Sequence, residues 1–186
     1  DGRGGFDAIV GNPPFLGGKR ISTVTGEKYH IYLKTKWKHT RGSADLCAYF
    51  FLRAFENLKQ GAAFGLIATN SIAQGDTREV GLDYLVSQGA FIYNAVNNHP
   101  WPGAAAVAVD VVHISRALPG LQPVLDGQPT EYISSLLDSR HVYGSPHPLA
   151  ANAGKGHMGS NVVGVGFTIE PAAAEALIAK DLRNRE

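Results

Sequence analysis

Short apolar runs alternate along this chain with segments of helical period, and this alternation limits the folds open to it. Four runs are predicted strands: Phe6 to Val10, Ala62 to Ala68, Phe91 to Val96 and Val107 to Ile114. One apolar helix face lies between the first two, at Cys47, Phe50, Phe51, Ala54, Phe55 and Leu58. Continuous apolar strands that alternate with helices predict an α/β sheet covered on both faces.

Capping and turn residues place the element boundaries. Ser43 is the predicted N-cap of the first helix, with Asp45 in its first turn, and that helix is expected to close at Gly61. A second helix is predicted from about Asp76 to Gly89, whereas residues 97–103 are predicted to form a loop because two prolines bracket a tryptophan.

The second part of the chain has a different texture. Beyond Arg116 the connections are rich in Pro and Gly, until a strand-like stretch from Asn161 to Ile169 and a helix predicted to begin at Pro171. We therefore expect two parts, residues 1–116 and residues 117–186.

Composition bounds the class of protein. The net charge of the 186 residues is only +1, although Lys28 to Arg41 is locally basic and is most simply a solvated surface. The single cysteine, Cys47, excludes an internal disulfide and leads us to expect a cytoplasmic location. No apolar stretch has the length of a membrane span, and the seven histidines lack metal-binding spacing, so neither a membrane nor a metal is expected.

The most informative string is FDAIVGNPPF, Phe6 to Phe15. Pro13 and Pro14 cannot donate to a ladder, so the strand must end at Asn12, and the carboxyl ends of strands are where α/β sheets place ligand sites. The Asn12 side-chain oxygen and the Pro13 carbonyl can act as two rigid acceptors around an amino group. Phe15 offers a flat face on which a base can stack. A simple turn after a strand is the competing interpretation.

On these residues the chain resembles the N6-adenine DNA methyltransferases, whose catalytic motif is (N/D)PP(F/Y). Three longer segments look like MmeI-like type II restriction–modification enzymes: GSADLCAYFFLRAFENLKQGAAFGLIATNSIAQGDTRE from Gly42 to Glu79, WPGAAAVAVDVVHISR from Trp101 to Arg116, and GSNVVGVGFTIEPAAAEALIAKDLRN from Gly159 to Asn184. The resemblance spans nearly the whole chain.

The resemblance implies a function and a set of site residues. It implies the second half of a Rossmann-like class I methyltransferase sheet at residues 1–116, with residues 117–186 leading toward a target-recognition region. S-adenosylmethionine would be the methyl donor, and the N6 amino group of adenine, flipped out of double-stranded DNA, the acceptor. The implied catalytic residues are Asn12, Pro13, Pro14 and Phe15.

The resemblance also implies binding residues. Phe15 and Trp101 would hold the flipped base, although Trp101 is also explained as a loop residue packed on the core. Asn12, Asp45, Leu46 and Phe50 would line the cofactor pocket, although Phe50 equally fits an apolar helix face.

One part of the family pattern is absent. No Gly-rich cofactor motif occurs in this chain; it is expected upstream of Asp1, so the chain alone should bind S-adenosylmethionine poorly or not at all. The strand from Phe6 to Val10 would then be an edge, covered by the missing upstream half of the domain or by a second copy.

Two other functions stay open at this point. An enzyme that methylates RNA or a protein glutamine also fits an NPP-aromatic loop, and Trp101 with the Gly42 to Glu79 match favours DNA over these. A non-catalytic DNA-specificity module is the second alternative, and the intact Asn12 to Phe15 motif argues against it.

Overall fold

The computed structural model describes residues 4–38, 42–101, 108–116, 120–140, 149–152, 154–155 and 169–181. The chain divides into two compact units, Asp1–Tyr143 and Gly144–Glu186. None of the helices within the described ranges is long and apolar enough to cross a membrane.

The first unit contains six strands and five helices among its described residues. The strands are β1 Phe6–Gly11, β2 Leu58–Thr69, β3 Ala90–Pro100, β4 Ala108–Arg116, β5 Val124–Leu125 and β6 Gln128–Pro129. The helices are α1 Gly18–Thr25, α2 Glu27–Lys36, α3 Leu46–Glu56, α4 Gly75–Arg78 and α5 Tyr84–Ser87. A 3-10 turn at Asn70–Ala73 precedes α4, and a π-helical turn at Glu79–Asp83 joins α4 to α5.

The strands form one mixed sheet in the order β1-β2-β4-β3-β5-β6. β1 is parallel to β2, and β4 is antiparallel to both of its neighbours, β2 and β3. β1, β2 and β3 therefore point the same way, and their carboxyl ends lie at one edge of the sheet, which we call the carboxyl edge. β1 is the terminal strand, as expected from the sequence. The predicted α/β fold class is confirmed.

The core lies on the helical side of this sheet. Phe64 of β2 pairs with Ile114 of β4, and the ring of Phe51 from α3 meets Phe64 edge-on at 5.7 Å between centroids. Leu85 of α5 joins the same cluster. On the opposite side, β2 presents residues such as Gly65 that are only half-buried. In the described part of the first unit the helices pack on one face, so the second helical layer expected from the sequence is not found there.

Several predicted boundaries are wrong. Asp45, rather than Ser43, caps α3, and the helix ends at Glu56 rather than Gly61. Strand β2 accordingly begins at Leu58 instead of Ala62. The basic segment before Gly42, which the sequence analysis interprets only as a solvated surface, contains the two helices α1 and α2.

β3 also runs further than predicted, because it extends to Pro100 through a bulge and includes most of the expected loop. After it, β5 pairs with β3, so the sheet continues beyond Arg116. The functional division into residues 1–116 and 117–186 stays a prediction.

The second unit is described in part. Its elements are a 3-10 turn at Ala150–Asn152 and helix α6 at Pro171–Lys180, which begins at the predicted proline. The strand-like stretch predicted from Asn161 lies, apart from Ile169, outside the described residues.

Candidate active site

The Asn12 to Phe15 loop leaves β1 at the carboxyl edge of the sheet. Asn12, Pro14 and Phe15 are exposed, with Phe15 37% exposed, whereas Pro13 is buried. Within the described part of the chain, no hydrogen bond engages the Asn12 side chain, so its amide is available to a ligand. A buried proline beside an exposed amide gives a loop that is rigid and accessible at once.

A cleft of about 560 Å³ runs along β1 between this loop and α3. Asn12, Pro13 and Pro14 line one end of it, and Phe50 and Arg53 of α3 line its side. No aspartate, glutamate or histidine is among the described lining residues. The cleft therefore offers acceptors and apolar surface but no strong base.

Asp45 anchors the loop to the first turn of α3. Its Oδ1 accepts hydrogen bonds from the backbone N–H of Cys47 at 2.9 Å and, at 3.4 Å, from that of Leu16, the residue after Phe15. The N–H of Leu46 donates to the Leu16 carbonyl at 2.9 Å. Because these bonds tie the residue after Phe15 to a buried helix terminus, the exposed loop is held at one end by the core.

Close packing around Gly18 holds the same region together. A Cβ atom at Gly18 would lie 2.4 Å from the carbonyl carbon and oxygen of Ser43, which is far inside contact distance. Nearby, the Ser43 N–H donates to the Asp76 carboxylate at 2.6 Å, and the Asp45 N–H donates to Thr77 Oγ1 at 3.1 Å. The loop, the start of α3 and the start of α4 are therefore joined.

These contacts divide the predicted cofactor-binding residues into those that line the cleft and those that are buried behind the loop. Phe50, 39% exposed, lines the cleft together with Asn12, so these two are brought together. Asp45 and Leu46 are buried and are not among the described residues of the cleft, which makes their contact with the loop structural. Direct cofactor contact by any of the four stays a prediction.

Trp101 directly follows β3, at the same edge as the loop, and is half-buried. Three inter-strand spacings separate β3 from β1 in the sheet order, which is about 14 Å. Two rings that sandwich a base must lie about 7 Å apart. Phe15 and Trp101 can both reach a base only if the segments beyond their strands converge over β2 and β4.

Two carboxylates hold the bulge that leads to Trp101. Asn97 and Asn98 together oppose Asp110 in the β3–β4 ladder, so two residues face one. Asp110 Oδ1 accepts from the Asn98 N–H at 2.8 Å, and Asp126 Oδ1 accepts from the Asn97 N–H at 2.7 Å. Burial raises the pKa of the Asp110 carboxyl above its ordinary value.

Sequence reasoning missed this pair of carboxylates. The available signal was a single acidic residue, Asp110, inside an otherwise apolar strand, since a buried charge usually has a specific partner. Asp126 gave no signal, because it lies in the β5–β6 turn and its partner Asn97 is 29 residues away.

Cys47 is a core residue, as the sequence indicated. Its side chain is fully buried, and burial together with the neighbouring Asp45 raises the pKa of the thiol well above its usual range. A thiol in this state is not a nucleophile at neutral pH. In the ranges that the structure describes, no group of three or more His, Cys, Asp or Glu side chains could hold a metal ion.

Comparisons with known proteins agree with the resemblance. The family model of the Eco57I restriction-modification methylase matches residues 1–88. No curated protein sequence matches the chain. The structure of the type IIL restriction-modification enzyme MmeI, solved in complex with DNA, matches with a TM-score of 0.58 and 23% identity. This match covers 71% of the present chain and 19% of that chain.

Two further matches are weaker. A modification subunit of a putative type I restriction enzyme from Vibrio vulnificus gives a TM-score of 0.46 at 14% identity, covering 66% of this chain and 24% of its own. A putative class I S-adenosylmethionine-dependent methyltransferase from Listeria monocytogenes gives 0.47 at 12% identity, covering 64% and 34%.

The matched part is a minor share of the larger relatives, since the chain spans about a fifth of the MmeI chain. The predicted resemblance to restriction–modification methyltransferases is confirmed over residues 1–88 by the family model, and the MmeI structure confirms the shared fold. The chain thus has an α/β fold shared with MmeI, and its first 88 residues match the Eco57I restriction-modification methylase family.

Proposed function

We propose that this chain carries the catalytic loop of a restriction–modification enzyme that methylates the N6 amino group of adenine in double-stranded DNA. The observation that carries the proposal is the exposed Asn12 amide beside buried Pro13, at the mouth of a cleft whose described lining residues include no acid and no histidine. The methylase family model over residues 1–88 supports methyl transfer, and the MmeI complex with DNA supports DNA as substrate.

The chemistry needs acceptors more than a base. The lone pair of an exocyclic amine is delocalised into the purine ring, so the nitrogen is a poor nucleophile until its two N–H bonds are drawn out of the ring plane. Asn12 Oδ1 and the Pro13 carbonyl oxygen each accept one of these N–H groups, and the prolines fix the second acceptor in place. As the nitrogen bonds to the methyl carbon, the carbon–sulfur bond of the donor would break and leave a neutral thioether, and the surplus proton on nitrogen would pass to water.

The aromatic residues hold the base outside the helix. A duplex hides the amino group, so the adenine must be flipped out, at a cost of a few kcal/mol. Stacking on Phe15 recovers about 1–3 kcal/mol of this. Trp101 stacks on the opposite face, provided that the β3 bulge aims it over the sheet.

The cofactor fits the cleft by size and lining. A volume of about 560 Å³ lies within the range of small-molecule sites, roughly 300–1,000 Å³, and Phe50 provides an aromatic wall beside Asn12. S-adenosylmethionine supplies an electrophilic methyl group when bound. Asp45 and Leu46 act on this site by holding the loop, through the bonds to Leu16.

Completion of the site depends on what lies beside β1. Val10 is 89% exposed and Phe6 60% exposed on this edge strand, so an upstream part of the domain, or a second copy, covers it in the working enzyme in the cytoplasm. The isolated 186-residue chain therefore binds S-adenosylmethionine weakly or not at all. Titration calorimetry tests this, and micromolar binding by the chain alone would contradict it.

Replacement of Asn12 by Ala in the full-length protein is the main test. Transfer of radiolabelled methyl to DNA should be abolished while DNA affinity is unchanged, because only the amine acceptor is removed. The matched control is Gln128→Ala, which removes an exposed carboxamide from β6 at the other end of the sheet, and it should keep its activity. Asn12→Asp, which retains an acceptor oxygen, should keep part of the activity.

The same assay separates the remaining alternatives. Methyl transfer to RNA or to protein glutamine, with none to DNA, would replace the proposed substrate. Unchanged transfer by the Asn12→Ala enzyme would remove the loop from catalysis and favour a DNA-specificity module.

A further inference from the structure

The segment of residues 18–38, which comprises helices α1 and α2 and the two residues after them, concentrates the positive charge of this chain. It contains six lysines and arginines and one glutamate, a net charge of +5. Since the whole chain is only +1, the rest of it is net −4. The near-neutral total therefore conceals a local concentration of positive charge on one structural element.

These cations are mostly without acidic partners. Within the described residues the ion pairs engage only one of the six, Lys36, which contacts Glu56 at 3.0 Å. The other five are exposed and form no ion pair there: Lys19, Arg20, Lys28, Lys34 and Lys38. Like charges that are clustered and unpaired repel one another, so the cluster favours a polyanionic partner.

The two helices are a fixed platform for these charges. Ile21 of α1 and Leu33 of α2 are buried, and Trp37 packs against Tyr49 of α3 with ring centroids 5.8 Å apart. Trp37 Nε1 also donates to Glu56 Oε1 at 2.7 Å. With one side of the pair held against α3, its lysines and arginines face solvent in a defined orientation, beside exposed apolar residues such as Ile31.

The platform adjoins the proposed catalytic loop. α1 begins three residues after Phe15, so the Cα atom of Gly18 lies within about 10 Å of the Phe15 Cα atom. A hollow of about 460 Å³ at this point is lined by Gly17, Gly18, Lys19, Arg20 and Ser43. α2, with ten residues, is about 15 Å long, which matches roughly four phosphates of one DNA strand.

We infer that the α1–α2 surface binds the DNA phosphates next to the flipped adenine. This assignment rests on the proposed function, because a surface beside Phe15 would bind the phosphates next to the target only if the flipped adenine stacks on Phe15. Phosphate contacts position the duplex and carry no sequence information. The surface therefore sets the affinity for DNA and the register of the target strand on the loop, whatever sequence is recognised.

The salt dependence of DNA binding tests the inference. Binding of the full-length protein to a fluorescent duplex of random sequence is measured by anisotropy between 50 and 300 mM KCl. Each phosphate contact contributes about 0.9 to the slope of log affinity against log salt. Lys19→Gln/Arg20→Gln and Lys28→Gln/Lys34→Gln should each reduce this slope by about 1 to 2, because two contacts are removed.

Matched variants control for charge alone. Lys59→Gln/Arg140→Gln also removes two exposed cations, but these pair with Asp7 and Asp138, and the slope should stay within about 0.3 of the unmodified value. Lys28→Arg/Lys34→Arg keeps both positive charges and should therefore keep the salt dependence of the unmodified protein. Circular dichroism of every variant confirms folding.

The possible outcomes separate this inference from the proposed function. If the salt slope is unchanged in both α1–α2 variants, or falls equally in the control pair, the α1–α2 surface does not bind DNA phosphates, even if the protein methylates DNA. A fall confined to the α1–α2 variants supports the surface even if no methyl transfer is detected, in which case the proposed function alone fails.

Discussion

Asp45 should hold the catalytic loop, and replacing it by Ala should release the loop at its carboxyl end. Its Oδ1 accepts from the N–H groups of Cys47 and Leu16 at 2.9 and 3.4 Å. Loss of an N-cap costs about 1 kcal/mol. An N–H left unpaired away from water adds about 1–3 kcal/mol; because the 3.4 Å bond to Leu16 is long, the lower end applies and we expect a total of about 2 kcal/mol.

Hydrogen exchange in the full-length protein measures this loss where it occurs. A local free energy of about 2 kcal/mol corresponds to roughly 30-fold faster exchange at the Leu16 and Cys47 amides. The turnover number for methyl transfer should fall as well, because the loop no longer holds one geometry. Asp45→Asn keeps the acceptor oxygen and should exchange within about threefold of the unmodified protein.

Two outcomes would refute the reasoning. Exchange in Asp45→Ala that stays within threefold would mean that the two bonds do not hold the loop. Equal loss in Asp45→Asn and Asp45→Ala would mean that the charge, rather than the hydrogen-bond acceptor, matters. Ser43→Ala, at the cap position predicted from the sequence, should leave the exchange rates of the Leu16 and Cys47 amides unchanged.

Three further predictions follow from the same contacts. Gly18→Ala should lower the free energy of unfolding by about 1–3 kcal/mol in thermal melts, because the new Cβ meets the Ser43 carbonyl at 2.4 Å; an unchanged melting temperature would contradict this packing. Burial raises the pKa of Asp110, so the folded state binds its proton more tightly than the unfolded state does. In urea titrations the unmodified protein should therefore gain stability relative to Asp110→Asn as the pH falls through that raised pKa. A loss of stability relative to Asp110→Asn as the pH falls would refute this prediction. Phe50→Ala should weaken S-adenosylmethionine binding to the full-length protein about tenfold by calorimetry, and an unchanged Kd would exclude Phe50 from the site.

The sequence was informative where local chemistry decides the structure. Two successive prolines after an apolar run end a strand whatever surrounds it, so the position of Asn12 was predictable. The apolar face of α3 was equally clear, since Phe51 and Phe55 recur at helical spacing and are buried. Both features belong to segments that carry their own signal.

The sequence was less informative where distant contacts decide. Ser43 and Asp45 are both good caps, and the choice of Asp45 depends on Leu16 and on Thr77, which is 32 residues away. Helices α1 and α2 were missed because so few of their residues are buried: Ile21 and Leu33 are the apolar anchors, whereas other apolar residues such as Ile31 are exposed. Their helical pattern is too sparse to stand out from a basic connection.

A structure of the full-length protein bound to DNA with a flipped adenine, together with an inert analogue of S-adenosylmethionine, tests the central claim most directly. The account predicts that Asn12 Oδ1 and the Pro13 carbonyl oxygen both lie about 2.7–3.2 Å from the adenine N6, one on each N–H. An N6 atom bonded to neither oxygen, or a carboxylate in that place, would contradict it.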